Sequence, residues 1–144
     1  MTAVDVSIRI EARPDTVFRY FVDPERMCEW MGVTAVADPR PGGRYRINVT
    51  SGDFAVGEFV EIVPPKRIVW TWGWEGSDTV PAGSSTVEVT LEPDGEATVV
   101  HLRHSGLPDD DARDNHRKGW THYTARLAIA ATGGDPGPDT MAKP

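Results

Sequence analysis

The chain contains a single cysteine, Cys28, and no apolar run long enough to cross a membrane as a helix. One cysteine cannot form an intramolecular disulfide, which fits a reducing cytoplasm. A free buried thiol is the better interpretation of Cys28, because no histidine lies near it in sequence to activate it as a nucleophile. The first residues also lack the basic-then-apolar pattern of a signal peptide. These absences predict a cytoplasmic protein that does not enter a membrane.

Positive charge is also scarce. The 15 lysines and arginines are outnumbered by 22 aspartates and glutamates, which gives a formal net charge of -7. Because there is no positive surplus to neutralise phosphates, we expect neither nucleic acid nor an anionic membrane as the main partner. No spacing of histidine, cysteine and acidic residues matches a zinc or calcium signature. We therefore expect no metal and no cofactor.

What the chain does contain is alternation of apolar and polar residues with a period of two, in residues 3–12 and again from Gly42 to Ser105. Such alternation predicts half-buried strands. The five strands predicted in the second region are 44–50, 54–63, 67–74, 84–92 and 97–105. Short turns join them, Ser51-Gly52-Asp53 among them, and consecutive strands with short turns favour an antiparallel meander.

Helical patterns precede and follow this meander. One short helix is predicted to begin at Pro14, and a second to span residues 24–31. A long helix is predicted within His101–Thr132, with Asp109, Asp110 and Asp111 at its start as a cap. One face of that helix carries residues spaced by three and four, namely His116, Trp120, Tyr123, Leu127 and Ala131. Bulky aromatics beside a glycine suit a helix that lies over a hollow as well as one over a filled core.

The order of strand, two short helices, five strands and long helix predicts an α+β fold with about six strands. At 144 residues the chain is large enough for one domain with its own core. We place that domain at residues 1–132. Residues 133–144 are rich in glycine and proline without periodicity, and we predict a flexible C-terminal tail there.

Three stretches carry a resemblance to a known family: DPERMCEWM at 23–31, GEFVEIVPPKRIVWTW at 57–72, and HSGLPDDDARDNHRKGWTHYTARL at 104–127. In these stretches the chain resembles the START-like or Bet v 1-like (SRPBCC) helix-grip superfamily, in the branch related to the activator of Hsp90 ATPase. The resemblance implies a curved antiparallel sheet that grips the C-terminal helix, often with an apolar cavity between them. Relatives include ligand binders, polyketide cyclases and chaperone activators, so one function is not implied.

Aromatic residues are the first candidates for a binding site, because flat apolar side chains can line a pocket for a hydrophobic or aromatic ligand. The alternative is that they fill the core of a strongly bent sheet. Trp74, at a strand end, is expected near the mouth of a cavity. The predicted liners are Phe18, Trp30, Tyr45, Phe54, Trp70, Trp72, Trp120 and Tyr123.

Polar groups inside a cavity would be more telling, since a buried charge is costly unless it has a use. The candidates are Glu58, Arg103, His104 and His116. The two histidines could act as a general acid and base near neutral pH, or His104 could simply anchor the turn before the helix. His101 should face the other side of the strand from His104, and His122 should be solvated.

The leading hypothesis from the sequence is a small-molecule binding protein with a hydrophobic cavity under the C-terminal helix. One alternative is an enzyme of the cyclase, dehydratase or hydrolase type, which would need a titratable group in the pocket. Another is an interaction module that modulates a chaperone or other protein partner. The pattern leaves both a monomer and a homodimer open.

Overall fold

The alternating segments pair into one antiparallel sheet, and the long helix lies against its inner face. The structure, a computed structural model, describes residues 3–50 and 52–141; Ser51 of the predicted turn and the last three residues of the tail lie outside them. The strands are β1 Val4–Ile10, β2 Thr34–Ala37, β3 Arg44–Asn48, β4 Phe54–Val63, β5 Arg67–Trp72, β6 Ser85–Asp94 and β7 Ala97–Ser105. The helices are α1 Pro14–Val22, α2 Pro24–Met27 and α3 Asp110–Ala131. The predicted α+β helix-grip class is confirmed.

Within the described residues the sheet has seven strands in the order β1-β7-β6-β5-β4-β3-β2, and all neighbours are antiparallel. The chain runs from β2 to β7 as a meander, and β1 pairs with β7 at the far edge. The sequence prediction omitted β2, which is short and only partly buried. Pairing with β3 holds it in place, with Val36 opposite Arg46. That contact is tertiary, so the four residues of β2 show little of it on their own.

The two short helices follow β1 and cover one end of the sheet. α1 begins at Pro14 as predicted, because proline has a helical φ and no N–H to lose in the first turn. α2 ends at Met27, earlier than the predicted Met31. Beyond it the chain turns so that the indole Nε1 of Trp30 donates to the carbonyl oxygen of Tyr20 at 2.8 Å. This hydrogen bond ties the end of α2 to α1.

The long helix α3 begins at the predicted cap. The Asp109 side chain accepts a hydrogen bond from the N–H of Ala112 at 2.8 Å, which satisfies one of the unpaired donors of the first turn. Trp120, Tyr123 and Leu127 are buried on the face of α3 that meets the sheet. Within the described chain no helix is both long and apolar enough to span a membrane.

At one end, the space between the sheet and the helices is filled by large side chains. We call this the filled end, and it consists of Phe21, Trp30, Tyr45, Phe59 and Trp70. The rings of Tyr45 and Trp70 stack with centroids 5.2 Å apart, and Phe21 meets Trp30 edge-on at 5.3 Å. Trp70 is only 1% exposed. This end is therefore a close-packed core.

At the other end, the loop after β5 folds back onto the sheet. A Cβ atom at Gly73 would overlap the carbonyl oxygen of Pro81, so only glycine permits this approach. The backbone N–H of Trp74 donates to the carbonyl oxygen of Val80 at 2.8 Å. Residues 75–80 are thereby held opposite the first half of α3.

Candidate functional site

A cleft of about 780 Å³ lies between the first half of α3, the loop after β5 and the hairpin that joins β3 to β4. Its volume is in the range typical of small-molecule sites. The aromatic side chains in its wall are Phe54, Trp72, Trp74, Trp120 and Tyr123, together with His116. Met31, Val80 and Met141 add apolar surface.

Four of these rings and the adjacent ring of His104 form a contiguous group. We call it the indole–imidazole network, and its members are Trp72, Trp74, Trp120, His104 and His116. Trp72 lies at its centre, with ring centroids 5.3 Å from Trp74 and 5.0 Å from Trp120. The two imidazole rings meet edge-on at 4.9 Å. One wall of the cleft is therefore built from side chains that hold one another in place.

His104 lies behind this wall and is 0% exposed. The Trp120 indole Nε1 can only donate, and it lies 3.0 Å from Nδ1 of His104, so Nδ1 accepts. The other ring nitrogen, Nε2, then carries the hydrogen and donates to the Ser85 hydroxyl at 2.8 Å, while that hydroxyl donates to the carbonyl oxygen of Trp72 at 2.6 Å. Burial, with a smaller contribution from His116, lowers the pKa of His104 to about 3.

His116 is held in the same manner with its nitrogens reversed. Trp74 Nε1 donates to its Nε2 at 3.0 Å, and its Nδ1 donates to the carbonyl oxygen of Ala112 at 2.7 Å. Burial lowers the pKa of His116 as well. Both imidazoles are thus neutral, with both ring nitrogens engaged. Either ring would have to give up a hydrogen bond from an indole before it could accept a proton, which makes both poor general bases.

The rim of the cleft is acidic. Asp53, Glu75, Asp109 and Asp111 line it, with Asn115 beside them. Glu75 pairs with Arg46 at 3.1 Å, and Asp53 accepts from the Thr50 hydroxyl at 2.5 Å.

The described part of the C-terminal segment contributes the last wall. We call residues 135–141 the C-terminal strap. Arg126 Nη1 donates to the carbonyl oxygen of Gly137 at 3.0 Å, and the Tyr123 hydroxyl donates to Asp139 at 2.7 Å. His122 is less solvated than the sequence predicts, because its Nε2 lies 2.8 Å from the other oxygen of Asp139. These contacts place Met141 in the cleft wall; the flexibility of residues 133–144 stays a prediction.

Asp139 itself is a half-sequestered carboxylate. Burial opposes its ionisation, yet hydrogen bonds from Tyr123, from the backbone of Met141 and from His122 lower its pKa overall. On Tyr123, burial and then the bond to Asp139 raise the pKa. The strap is therefore fixed by an ionised carboxylate that accepts from a neutral phenol.

The structure divides the aromatic residues that the sequence singled out into two groups. Phe54, Trp72, Trp120 and Tyr123 line the cleft, and Trp74 is with them as expected from its place at a strand end. The other four belong to the buried core and do not line the cleft: Phe18, Trp30, Tyr45 and Trp70. Trp70 and Trp72 lie on one face of β5, as the alternation of a strand requires, but alternation gives no measure of how far along that face the cleft extends.

The polar candidates also separate. His116 lines the cleft, whereas His104 lies behind Trp120. Glu58 and Arg103 do not line it; both are on the outer face of the sheet, where Glu58 is exposed and Arg103 lies 3.5 Å from Asp5. Their neighbours Phe59 and His104 point inward, and adjacent strand residues point to opposite faces.

Several cleft residues were not singled out from the sequence. Asp53, Glu75 and Asn115 come from a turn, a loop and a helix, and only the folded chain brings them together. Asp109 and Asp111 were interpreted only as helix-capping acids. One feature of the sequence could have indicated that this loop lines the cleft, since it is polar and directly follows the tryptophan-rich strand. Across residues 3–50 and 52–141, no group of three histidine, cysteine or acidic side chains is arranged to hold a metal ion.

Comparisons with known proteins agree on the fold. An AHSA1-like protein of Rhizobium etli is 44% identical, with 99% of this chain and 89% of that one covered and a TM-score of 0.77. DynU16, a protein of the dynemicin biosynthetic locus, is 26% identical over 96% of this chain and 51% of its own, with a TM-score of 0.82. An HSP90 activator of Plasmodium falciparum is 21% identical over 92% and 97%, with a TM-score of 0.77, which supports the fold alone.

A comparison with curated proteins gives no match. Residues 11–132 match the family described as activator of Hsp90 ATPase homolog 1-like protein. That match spans most of the chain and includes α1, the whole meander and α3. The chain belongs to the activator of Hsp90 ATPase homolog 1-like family.

Proposed function

We propose that this protein binds a hydrophobic small molecule with a flat or aromatic part in the cleft beside the first half of α3. The observation that carries the proposal is the cleft of about 780 Å³ walled by Phe54, Trp72, Trp74, Trp120 and Tyr123. A concave pocket with several aromatic walls suits a ligand with a flat apolar part. Chemistry on the ligand is not required for this role.

The indole–imidazole network favours ligand binding because it makes the wall of the cleft rigid. Trp74 donates its indole N–H to the partly buried His116 and Trp120 donates to the buried His104, so neither ring is free to turn into the cleft. A wall that is already ordered loses little side-chain entropy when a ligand arrives. Burial of the ligand's apolar surface then contributes about 25 cal/mol per Å², less the ordering terms that remain.

The two alternatives have narrower support. A cyclase or hydrolase role needs a group that can exchange a proton with the ligand, and both histidines have their ring nitrogens engaged. A protein-interaction role draws on the family description and on the Hsp90 activator of P. falciparum, whose similarity reaches only the fold. The likeness to DynU16, of a biosynthetic locus, agrees better with a small-molecule role.

Gly119 allows a direct test, because it lines the cleft on α3 and an added Cβ would meet open space. Gly119→Leu should fill part of the cleft without disturbing the core, and Gly119→Ala is its matched control. Both variants keep all five tryptophans. Tryptophan fluorescence can therefore report the binding of flat aromatic compounds in all three proteins.

We expect saturable quenching by at least one aromatic class in the parent and in Gly119→Ala. In Gly119→Leu the affinity should fall at least about tenfold, equivalent to 1.4 kcal/mol. Equal affinity in all three folded proteins would place the ligand elsewhere, and no quenching by any compound would contradict the proposal.

A further inference from the structure

The side chains that line the cleft include four acids. Asp53, Glu75, Asp109 and Asp111 line it, and no lysine or arginine of the described residues does. His116, the remaining basic side chain in the wall, is held neutral between Trp74 and Ala112. A ligand inside this cleft therefore lies among carboxylates.

These carboxylates differ in how far they are already engaged. Asp109 caps α3 and Glu75 pairs with Arg46, so both have structural partners. Asp111 lies in the first turn of α3, is exposed, and has no hydrogen-bond or ion-pair partner among the described residues. Its charge is therefore available to a ligand.

The aromatic walls favour the same kind of ligand as the acidic rim does. The faces of tryptophan and phenylalanine attract cations, and carboxylates near such faces strengthen that attraction. Phe54 already has this kind of contact on one side, with the Arg46 guanidinium carbon 3.9 Å from its ring centroid. A protonated amine is the small-molecule group that suits both the aromatic wall and the acidic rim.

We infer that the ligand of this cleft is an aromatic or hydrophobic amine that binds as its ammonium cation, in preference to a carboxylic acid or phosphate of the same shape. This inference rests on the proposed function, since it names the chemical class that the same cleft takes. Carboxylates at the rim attract an ammonium group and repel an anion, and both effects weaken as salt screens them.

Three probes with one naphthalene ring separate the inference from the proposed function: 2-naphthylmethylamine, 2-naphthalenemethanol and 2-naphthoic acid. Calorimetric titration at pH 7 and low salt should give the order ammonium, then alcohol, then carboxylate. We expect the ammonium to bind about fivefold to tenfold more tightly than the alcohol, with the gap narrowing at 0.5 M salt.

If the alcohol binds and the ammonium binds no more tightly, the inference is overturned while the proposed cleft binding stands. The same holds if the carboxylate binds as tightly as the alcohol. If none of the three binds to the folded protein, the proposed function fails and the inference fails with it.

Asp111→Asn locates the effect, because it removes one charge and no described contact. It should lower the affinity for the ammonium about threefold and leave that for the alcohol unchanged. Asp114→Asn is the matched control: Asp114 is also exposed on α3, pairs with Arg117, and does not line the cleft. An equal loss of ammonium affinity in both variants would reduce the effect to net charge and overturn the assignment to the cleft.

Discussion

The two ends of the space between the sheet and the helices contain the same residue types, but these residues have different roles. At the filled end, Tyr45 and Trp70 stack face to face at 5.2 Å, and α1 brings Phe21 against them. At the cleft end, Trp72 and Trp74 meet edge-on at 5.3 Å, and the neighbouring elements are a loop and a hairpin instead of α1. Tryptophans two residues apart on one strand are therefore core at one end and cavity wall at the other.

The buried indoles of Trp70 and Trp72 sharpen this comparison. Both Nε1 atoms lack a hydrogen-bond partner among the described residues. Close packing around Trp70 leaves no room for a hydrogen-bond acceptor. The cost of burying its N–H is therefore offset by the burial of a large apolar ring. Trp72 borders the cleft on one side, although its Nε1 is buried as fully as that of Trp70. The difference teaches that the covering element, and not the strand sequence, decides whether an aromatic face becomes a site.

The largest expected effect comes from removing a ring at the filled end. Trp70→Ala should lower the free energy of unfolding by about 3–5 kcal/mol, because it leaves a cavity in a close-packed core. Phe54→Ala, at the half-buried cleft end, should lower it by about 1 kcal/mol while weakening ligand binding. Urea unfolding measures both.

Trp70→Phe serves as the control, since it keeps an aromatic ring and removes the unpartnered N–H. It should be much less destabilising than Trp70→Ala. If Phe54→Ala proved as destabilising as Trp70→Ala, the two ends would not differ in packing as described.

Much of the fold could be predicted from the sequence because the signals are local. Alternation located the strands from residue 44 to residue 105, and the acids at 109–111 located the start of α3. β2 was missed because its stability comes from pairing with β3 rather than from its own residues. The early end of α2 depends on the bond between Trp30 and Tyr20, which is also a tertiary contact.

The site was less predictable for a related reason. Alternation assigns a residue to a face of the sheet, yet Arg103 was predicted as a cavity group beside His104, and it lies on the opposite face. Alternation does not say which inward residues another element covers, so Tyr45 and Phe54 were grouped together. The acidic rim joins residues from a turn, a loop and a helix, and no single stretch of sequence contains that pattern.

The next expected effect is a dependence of stability on pH. His104 has a pKa of about 3 in the folded protein, against the ordinary histidine pKa of 6.5 in the unfolded chain. Between these values the unfolded chain binds a proton that the folded protein does not, so stability is fully present above pH 6.5 and falls as the pH is lowered. From pH 7 to pH 5 the loss should be about 2 kcal/mol from His104 alone. Burial lowers the pKa of His116 too, which adds to the loss in the same direction.

His104→Gln checks the origin of this slope. Glutamine can offer an acceptor to Trp120 and a donor to Ser85 without titrating. We expect most of the dependence between pH 7 and pH 5 to disappear, whatever the variant's stability at pH 7. His101→Gln, on the outer face of the same strand, should keep the parent slope; an unchanged slope in His104→Gln would assign the effect to other groups.

A smaller effect is expected at the C-terminal strap. Asp139→Asn removes the charge that accepts hydrogen bonds from Tyr123 and His122. The free energy that holds the strap in place should fall by about 1–2 kcal/mol, with no effect on the rest of the fold. Hydrogen exchange should then speed up in residues 135–141 and not in β6 or β7. If the strap forms part of the binding wall, ligand dissociation should be faster as well. Asp135→Asn is the matched control, because Asp135 contacts only the backbone N–H of Gly137 among the described residues.

The smallest expected effect is a gain in stability at the cleft end. Gly119 lies in the interior of α3, where glycine is less favourable than alanine by about 0.5–1 kcal/mol. A Cβ at Gly119 would meet nothing within 4 Å, so Gly119→Ala should raise the free energy of unfolding by about that amount. At Gly57, in contrast, a Cβ would overlap the carbonyl oxygen of Thr71, and Gly57→Ala should be destabilising. A loss of stability in Gly119→Ala would mean that the space beside α3 is closed in solution, and the contrast between a filled end and an open cleft would then no longer hold.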